Sequence, residues 1–240
     1  MGKSGEVTVP PDDEATVTRT RAVRAAPAAI GIAIACLVFV ALLGVGVRTA
    51  FEPQLDLDGA VSEALYAGDD RAGAMDLLLE TLTAPGTTWF RLLVFVGVLV
   101  LLLRRQLYWT TAWMLTAVVL IAPVTSLLKV LFGRVRPDFD EGGARLDSLS
   151  YPSGHSSGIA TLVTVALILA WPLLKGTARH WALAVGVVLV VLVGLTRMWL
   201  GVHFLSDVVG GWTLGVGWSL LTALLFGAFA EGRAALRPTS

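Results

Sequence analysis

The chain has 240 residues, of which 55% are apolar and 15% are charged, whereas charged residues make up about a quarter of a soluble domain. Its 18 basic and 18 acidic residues cancel, so net charge gives no argument for a nucleic-acid partner. This composition excludes an ordinary soluble domain and is typical of an integral membrane protein. The single cysteine, Cys36, lies inside an apolar run and cannot form an internal disulfide.

Six apolar runs approach the length needed to cross a hydrocarbon core, which takes roughly 20 residues of helix. They extend over Pro27–Val47, Thr88–Leu103, Tyr108–Phe132, Ser156–Leu174, Trp181–Leu195 and Phe204–Ala230. We therefore predict an all-α fold, a six-transmembrane-helix bundle with short extracytoplasmic helices, over residues 26–230. Residues 1–25 are predicted to be a disordered cytoplasmic tail and residues 231–240 a second cytoplasmic tail.

Basic residues in short connections indicate which side of the membrane is cytoplasmic. They precede the first run, follow the last, and occupy the second and fourth connections: Arg19, Arg21, Arg24, Arg104, Arg105, Lys175, Arg179, Arg233 and Arg237. The first connection, residues 50–87, is acidic and is therefore predicted to lie outside. Its segments DGAVSEALYAG and DDRAGAMDLLLETLTAPG each begin with an aspartate able to cap a helix, Asp58 and Asp69, so two short outer helices are expected.

Basic residues also occur in the outer connections, where this charge rule does not expect them. They lie near two histidines and one carboxylate on the same predicted face: Lys129, Arg134, Arg136, Arg197, His155, His203 and Asp207. Ionisable groups at membrane depth are costly and usually functional. Their convergence indicates an anion-binding site.

The stretch PSGH, just before the fourth run, has the composition of a phosphate cradle. Ser153 can cap the helix that follows, and Gly154 lets the backbone approach a ligand closely. The helix N-terminus then offers free N–H groups and the positive end of its dipole. Lys129, Arg136 and Arg197 can supply further positive charge, the arginines through a planar fork that matches phosphate oxygens.

The two histidines suit different steps of phosphoryl transfer. Asp207 follows His203 by four residues, so on one helical turn its carboxylate can accept a hydrogen bond from a ring nitrogen. The other ring nitrogen is then free to attack phosphorus, which makes His203 the candidate nucleophile. His155, beside the cradle, is suited to protonate the leaving alkoxide.

Three ordered motifs resemble those of the type 2 phosphatidic acid phosphatase superfamily. They are K-x6-R-P at Lys129–Pro137, P-S-G-H at Pro152–His155, and S-R-x5-H-x3-D at Thr196–Asp207. One position departs from the pattern, because Thr196 stands where the family usually has serine. The resemblance implies an integral lipid phosphatase with the same residue roles, a phosphohistidine intermediate, and no metal or other cofactor.

The sequence alone leaves the substrate and the class of protein open. The expected partners are a lipid phosphate substrate and membrane lipids, with phosphatidic acid, phosphatidylglycerol phosphate and a polyprenyl diphosphate as candidates. A vanadate-dependent haloperoxidase-like enzyme and a non-catalytic lipid-binding or transport protein are the alternatives.

Arg134 can serve the site or reach lipid headgroups. Asp138, Asp140 and Glu141 resemble a metal cluster, but a solvated acidic loop is the favoured interpretation. The predicted location is the cell membrane, multi-pass, with both termini cytoplasmic and the active site outside.

Overall fold

A computed structural model describes residues 11–68, 72–139, 148–229 and 233–236 of the chain, with side chains from residue 27 onward. Within these ranges the chain forms helices and no strand, which confirms the predicted all-α class. The helices are α1 (Pro11–Arg48), α2 (Glu52–Leu65), α3 (Gly73–Thr83), α4 (Thr88–Arg104), α5 (Tyr108–Phe132), α6 (Gly154–Ala170), α7 (Thr177–Trp199) and α8 (Leu205–Phe226). A 3₁₀ turn at Ala84–Gly86 joins α3 to α4.

Length and composition identify fewer spans than the six predicted. In the part of the chain that is described, four helices are long and apolar enough to cross a membrane, namely α1 from Pro27, α5, α7 and α8. A fifth is obtained if α3, the 3₁₀ turn and α4 form one span, bent by 50°. Helix α6 has 17 residues, or about 26 Å of rise, which is short of a hydrocarbon core about 30 Å thick. The predicted count of six is therefore not confirmed on these criteria.

Three helix ends have a local cause. Helix α6 stops at Ala170, earlier than the predicted Leu174, because Pro172 has no backbone N–H with which to continue the helical hydrogen bonds. Helix α8 stops at Phe226, before the predicted Ala230, because Gly227 adopts the left-handed conformation with φ of 66°. Gly133 ends α5 in the same way.

The N-terminal tail differs from the sequence-based prediction. Helix α1 begins at Pro11, so residues 11–25 of the segment predicted to be disordered lie in a helix. The sequence Pro-Asp-Asp-Glu at this end is common in a first helical turn, where proline fits without loss of a hydrogen bond. Residues 1–10 lie outside the described residues, and of the predicted C-terminal tail only 233–236 are described.

The two short helices expected in the first connection are present, but their starts are not those predicted. Asp58 does not cap a helix; it lies in the middle of α2 and is 1% exposed. Helix α2 starts earlier, at Glu52, with a proline in its first turn. Asp69 lies outside the described residues, and α3 begins at Gly73. The buried position of Asp58 gives it a different role, described below.

Helices α6 and α8 approach each other closely along one line of glycines. A Cβ atom on Gly211 would lie 2.6 Å from the carbonyl oxygen of Ser153, and one on Gly215 would lie 2.5 Å from that of Ser157. Both distances are shorter than side chains tolerate, so only glycine allows this separation. The line of contact places the start of α8 directly beside the start of α6.

The outer surface of the bundle is apolar. Val130, Val188 and Leu225 are between 62% and 74% exposed on helices whose opposite faces are packed. Exposed tryptophans occur at helix starts near both ends of the bundle, as at Trp89 and Trp181. Large exposed apolar faces with aromatic residues near helix ends are typical of a lipid-facing surface. The chain is a multi-pass membrane protein.

Candidate active site

The residues predicted to form the site all lie at one end of the bundle. Helices α5 and α7 end there, whereas α6 and α8 begin there. This alternation brings together Lys129 in the last turn of α5, Ser153, Gly154 and His155 at the start of α6, Arg197 in the last turn of α7, Arg136 in the loop after α5, and His203 and Asp207 at the start of α8.

His203 is buried between a carboxylate and a guanidinium. Its Nδ1 lies 3.3 Å from Oδ2 of Asp207, and its Nε2 lies 3.2 Å from Nη1 of Arg136. An ionised carboxylate only accepts hydrogen bonds, so the proton of the neutral ring belongs on Nδ1. Nε2 then keeps its lone pair and accepts a hydrogen bond from Arg136. The ring is therefore held in the tautomer that leaves Nε2 unprotonated.

Burial also sets the protonation state of His203. The side chain is 2% exposed, and this loss of solvation lowers the pKa of the imidazole to about 3. The hydrogen bond to Asp207 acts in the opposite direction, but burial is the larger effect. The imidazole is therefore neutral at physiological pH, as a nucleophile must be.

Asp207 is held by donors on every side. Its Oδ2 accepts hydrogen bonds from the backbone N–H of Phe204, at 2.9 Å, and from the hydroxyl of Ser150. Its Oδ1 accepts one from Nη1 of Arg134, also at 2.9 Å. Ser150 was not predicted as a site residue, because a single serine in a loop carries no sequence signal. Together these donors fix the carboxylate that orients His203.

Arg134, whose role the sequence left open, joins this carboxylate to a second one. Its guanidinium is 2.9 Å from Asp207 and 2.7 Å from Asp58 of α2. Asp58 also accepts hydrogen bonds from the backbone and hydroxyl of Ser206, at 2.8 and 2.6 Å. The guanidinium further lies 4.0 Å from the ring centroid of Phe204. Arg134 is therefore a buried structural residue of the site, and it does not reach towards lipid.

The remaining cations are fixed mainly by backbone carbonyls. Lys129 donates to the carbonyl of Ser150 at 3.2 Å and to that of Leu149. Arg136 donates to the carbonyls of Ser148 and Val202, at 2.7 and 2.6 Å. None of these acceptors carries a full negative charge. The positive charges of both side chains are therefore only partly compensated and remain able to attract an anion.

Arg197 carries a donor that no protein group uses. Its Nη1 donates to the hydroxyl of Thr83 at 3.3 Å, but its Nε–H is buried without a hydrogen-bond partner in the described part of the chain. Thr196, beside it, turns its hydroxyl back to the carbonyl of Val193 at 2.6 Å. The threonine that replaces the usual serine therefore does not present its hydroxyl to the site. An oxyanion would satisfy the buried Nε–H of Arg197.

The start of α6 has the form that PSGH predicts. Ser153 is the N-cap, and its hydroxyl oxygen accepts a hydrogen bond from the backbone N–H of Ser156 at 3.4 Å. Its own N–H donates to the carbonyl of Asp207 at 2.9 Å, which ties α6 to α8. A Cβ on Gly154 would have no heavy atom within 4 Å, so there is open space at this position. A ligand can approach the helix N-terminus there.

His155 lies among the same cations. It is half-buried in the first turn of α6, and its backbone packs against Gly86 of the 3₁₀ turn. Electrostatic interactions connect it with Arg197, His203, Arg136 and Lys129. His155 therefore faces a region that Arg197, Arg136 and Lys129 make positive. Among the described residues no group of three or more His, Cys, Asp or Glu could hold a metal ion; Asp140 and Glu141 lie outside them.

Comparison with known proteins gives consistent matches. The model of the PAP2 superfamily matches residues 107–230. Phosphatidylglycerophosphatase B of Bacillus subtilis is 40% identical over 96 residues, 39% of this chain and 46% of the relative. Lipid A 1-phosphatase of Rhizobium etli is 33% identical over 127 residues, 49% of this chain and 51% of the relative. The chain thus spans about half the length of the curated relatives it matches.

A solved structure resembles most of the chain. The crystal structure of a transmembrane PAP2-type phosphatidylglycerolphosphate phosphatase from Bacillus subtilis superposes with a TM-score of 0.68 at 28% identity. The match covers 79% of this chain and 93% of that one. The likeness therefore extends beyond the part matched by the family model and includes most of the helices described above.

Proposed function

The chain belongs to the PAP2 superfamily, and from this premise we propose that it hydrolyses the phosphate of a phosphorylated membrane lipid through a phosphohistidine intermediate. The observation that carries the proposal is the buried imidazole of His203, with Nδ1 facing Asp207 and Nε2 facing Arg136. This arrangement supplies a neutral nucleophilic nitrogen next to a positive charge, which is what attack on a phosphate requires.

The first half-reaction uses both histidines. The phosphate oxygens bind the N–H groups at the start of α6, the Nε–H of Arg197 and the ammonium of Lys129. Nε2 of His203 attacks phosphorus, and the bond between phosphorus and the lipid oxygen breaks. His155 gives its proton to that oxygen, so a phosphate monoester releases its lipid as an alcohol and a lipid diphosphate releases it as a monophosphate. Asp207 stabilises the positive charge that develops on the ring of His203.

The second half-reaction restores the enzyme. Water attacks the phosphorus of the phosphohistidine, His155 accepts a proton from that water, and the bond between phosphorus and Nε2 breaks. Inorganic phosphate leaves and His203 is neutral again. His155 can hold a proton among neighbouring cations only while a phosphate supplies compensating negative charge. Substrate binding therefore allows His155 to become protonated, so that it can act as the general acid.

The proposal includes six spans with the site on the outer face. Counting α3 and α4 as one bent span and α6 as a short one gives six, and both termini then lie on the same side. The length that α6 lacks is supplied by the preceding loop, which is fully buried at Ser150, Tyr151 and Ser153. Irregular backbone at membrane depth is tolerated when protein surrounds it. The basic connections at Arg104 and Lys175 lie at the opposite end, as expected for the cytoplasmic face.

Phosphate release from a panel of lipid phosphates tests the proposal. Purified protein in detergent and EDTA is incubated with phosphatidic acid, phosphatidylglycerol phosphate and a polyprenyl diphosphate. We expect release from at least one lipid, with His203→Ala at background. Binding without release from any of them would instead identify a non-catalytic lipid-binding protein. Vanadate-dependent oxidation of bromide without phosphate release would identify a haloperoxidase-like enzyme.

Orthovanadate tests the part assigned to Arg197. Vanadate adopts the five-coordinate geometry of the phosphoryl transition state, so a site complementary to that state binds it more tightly than phosphate. We expect competitive inhibition of the wild type and inhibition at least tenfold weaker in Arg197→Ala, since a charge-assisted hydrogen bond contributes about 1.5–3 kcal/mol. Equal inhibition of both proteins would exclude Arg197 as an oxyanion ligand.

A further inference from the structure

A cavity of about 510 Å³ opens beside the candidate site, between the end of α1, α2 and the loop that follows α5. Leu55, Phe132 and Phe204 form much of its apolar wall, and Arg48 and Arg136 lie among its lining residues. Its size is in the range of small-ligand pockets, which usually combine an apolar wall with a few polar groups. The proposed reaction uses Arg136, and Arg134 supports Asp207, but the other lining residues have no role in it.

The cavity is positively charged. Its lining residues include three arginines and no acidic residue. Arg134 is already neutralised, because it pairs with Asp58 and Asp207. Arg48 is exposed, and among the described residues it forms no hydrogen bond or ion pair. Its Nη1 would lie 3.7 Å from a Cβ on Gly133, so the guanidinium rests against the turn that ends α5. The net charge of the wall therefore favours an anion.

The cavity and the candidate nucleophile share neighbours. Arg136 lines the cavity and also donates to Nε2 of His203 at 3.2 Å. Phe204, another lining residue, directly follows His203 in the chain. An anion in the cavity would therefore lie close to the phosphate that His203 attacks. One molecule that carries two phosphoryl groups can occupy both positions.

We propose that this cavity binds a second phosphoryl group of the substrate, the one that is not hydrolysed, and that Arg48 is its specificity-determining residue. The proposal rests on the proposed function and deepens it. It favours lipids in which a second phosphoryl group lies between the scissile phosphate and the apolar chain. Phosphatidic acid, with a single phosphate, leaves Arg48 without a partner.

The test compares two lipids with identical acyl chains, phosphatidylglycerol phosphate and phosphatidic acid. In Arg48→Ala we expect the ratio of their kcat/KM values to fall about tenfold, mainly through a higher KM for the lipid with two phosphoryl groups. Arg48→Lys should keep part of the preference, because it keeps the charge. Arg104→Ala is the matched control, since it removes an exposed arginine at the opposite end of the bundle. The ratio of kcat/KM values in Arg104→Ala should equal that of the wild type.

A binding measurement separates this inference from the proposed function. Short-chain forms of the two lipids are titrated into His203→Ala protein with and without Arg48→Ala, so no turnover is needed. We expect tighter binding of the lipid with two phosphoryl groups only while Arg48 is present. An equal loss of affinity for both lipids, or no loss for either, overturns the inference. Arg48-dependent binding in a protein whose wild type releases no phosphate overturns the proposed function alone.

Discussion

Asp58 and Arg134 form a buried ion pair, with 2.7 Å between the carboxylate oxygen and the guanidinium nitrogen. The same guanidinium contacts Asp207, the carboxylate that orients His203. Asp58 of α2 thus supports His203 through Arg134 and Asp207, without contacting the imidazole itself.

Replacing Asp58 by asparagine should destabilise the protein and lower its activity. Removing one partner of a buried ion pair costs about 3–5 kcal/mol, because the other charge stays buried. Arg134 keeps Asp207 as a partner, so the loss should lie at the lower end of that range. The thermal midpoint in detergent and phosphate release per folded molecule measure the two effects. Asp56→Asn, an exposed position on the same helix, is the control, and equal midpoints for the two variants would contradict the prediction.

The two histidines should respond differently to the leaving group. A p-nitrophenolate leaves without needing a proton, whereas a lipid alkoxide needs one. His155→Ala should therefore lose most activity towards a lipid phosphate and keep a larger fraction towards p-nitrophenyl phosphate. His203→Ala should be near background with both, because no covalent route remains. Should p-nitrophenyl phosphate rescue His203→Ala and leave His155→Ala inactive, the two roles must be exchanged.

The free energy of unfolding should depend on pH through His203. Burial holds the native pKa of this imidazole at about 3, whereas an unfolded histidine has a pKa of about 6.5. Between these values the unfolded state binds a proton that the native state does not. Stability is therefore fully present above pH 6.5 and is lost as pH falls towards 3, by at most about 1.4 kcal/mol per pH unit.

His203→Gln provides the comparison for this pH effect. The variant lacks the titrating group, so its thermal midpoint should decrease less steeply than that of the wild type between pH 6.5 and pH 4. Parallel curves for the two proteins would mean that His203 is not buried in its neutral form.

The elements that depend on apolar run length were predictable from the sequence. Helix α5 has the predicted bounds, Tyr108–Phe132, and α4 differs from prediction by one residue at its C-terminal end. Asp58 was misassigned as a cap because an aspartate before an apolar stretch has the same pattern whether it starts a helix or pairs with a distant cation. Ser150 and the role of Arg134 depend on contacts between segments far apart in the chain. Such contacts have no signature in the neighbouring sequence, so they could not be predicted from it.

Gly211→Ala should disturb the site through the contact between α6 and α8. The new Cβ would lie 2.6 Å from the carbonyl oxygen of Ser153, and backbone cannot move as a flexible side chain can. Overpacking of this kind costs about 1–3 kcal/mol, and it would displace the N-cap of α6. Gly97→Ala on α4 is the control, because its Cβ would have no neighbour within 4 Å. Alanine favours helix there, so equal or higher stability is expected.

If Gly211→Ala retains the thermal midpoint and activity of Gly97→Ala, the close approach of the two helices does not constrain the site.

Cysteine labelling on intact cells should place the candidate site outside. The native thiol is first removed by Cys36→Ala. A cysteine at Asp56, exposed near the site, should then react with an impermeant maleimide. One at Lys175, exposed at the other end of the bundle, should react only after lysis. The opposite pattern of labelling would invert the proposed orientation.

The PAP2 match begins at residue 107, but residues from earlier in the chain also support the candidate site. Asp58 compensates Arg134, and Gly86 packs so closely on His155 that its Cβ would lie 2.8 Å from the histidine carbonyl. Transplanting α5–α8 alone onto a foreign N-terminal half would therefore leave Arg134 with one of its two counter-ions and His155 without the turn that packs on it. Chimeras between relatives should exchange α2 and the α3–α4 junction together with the motif-bearing helices.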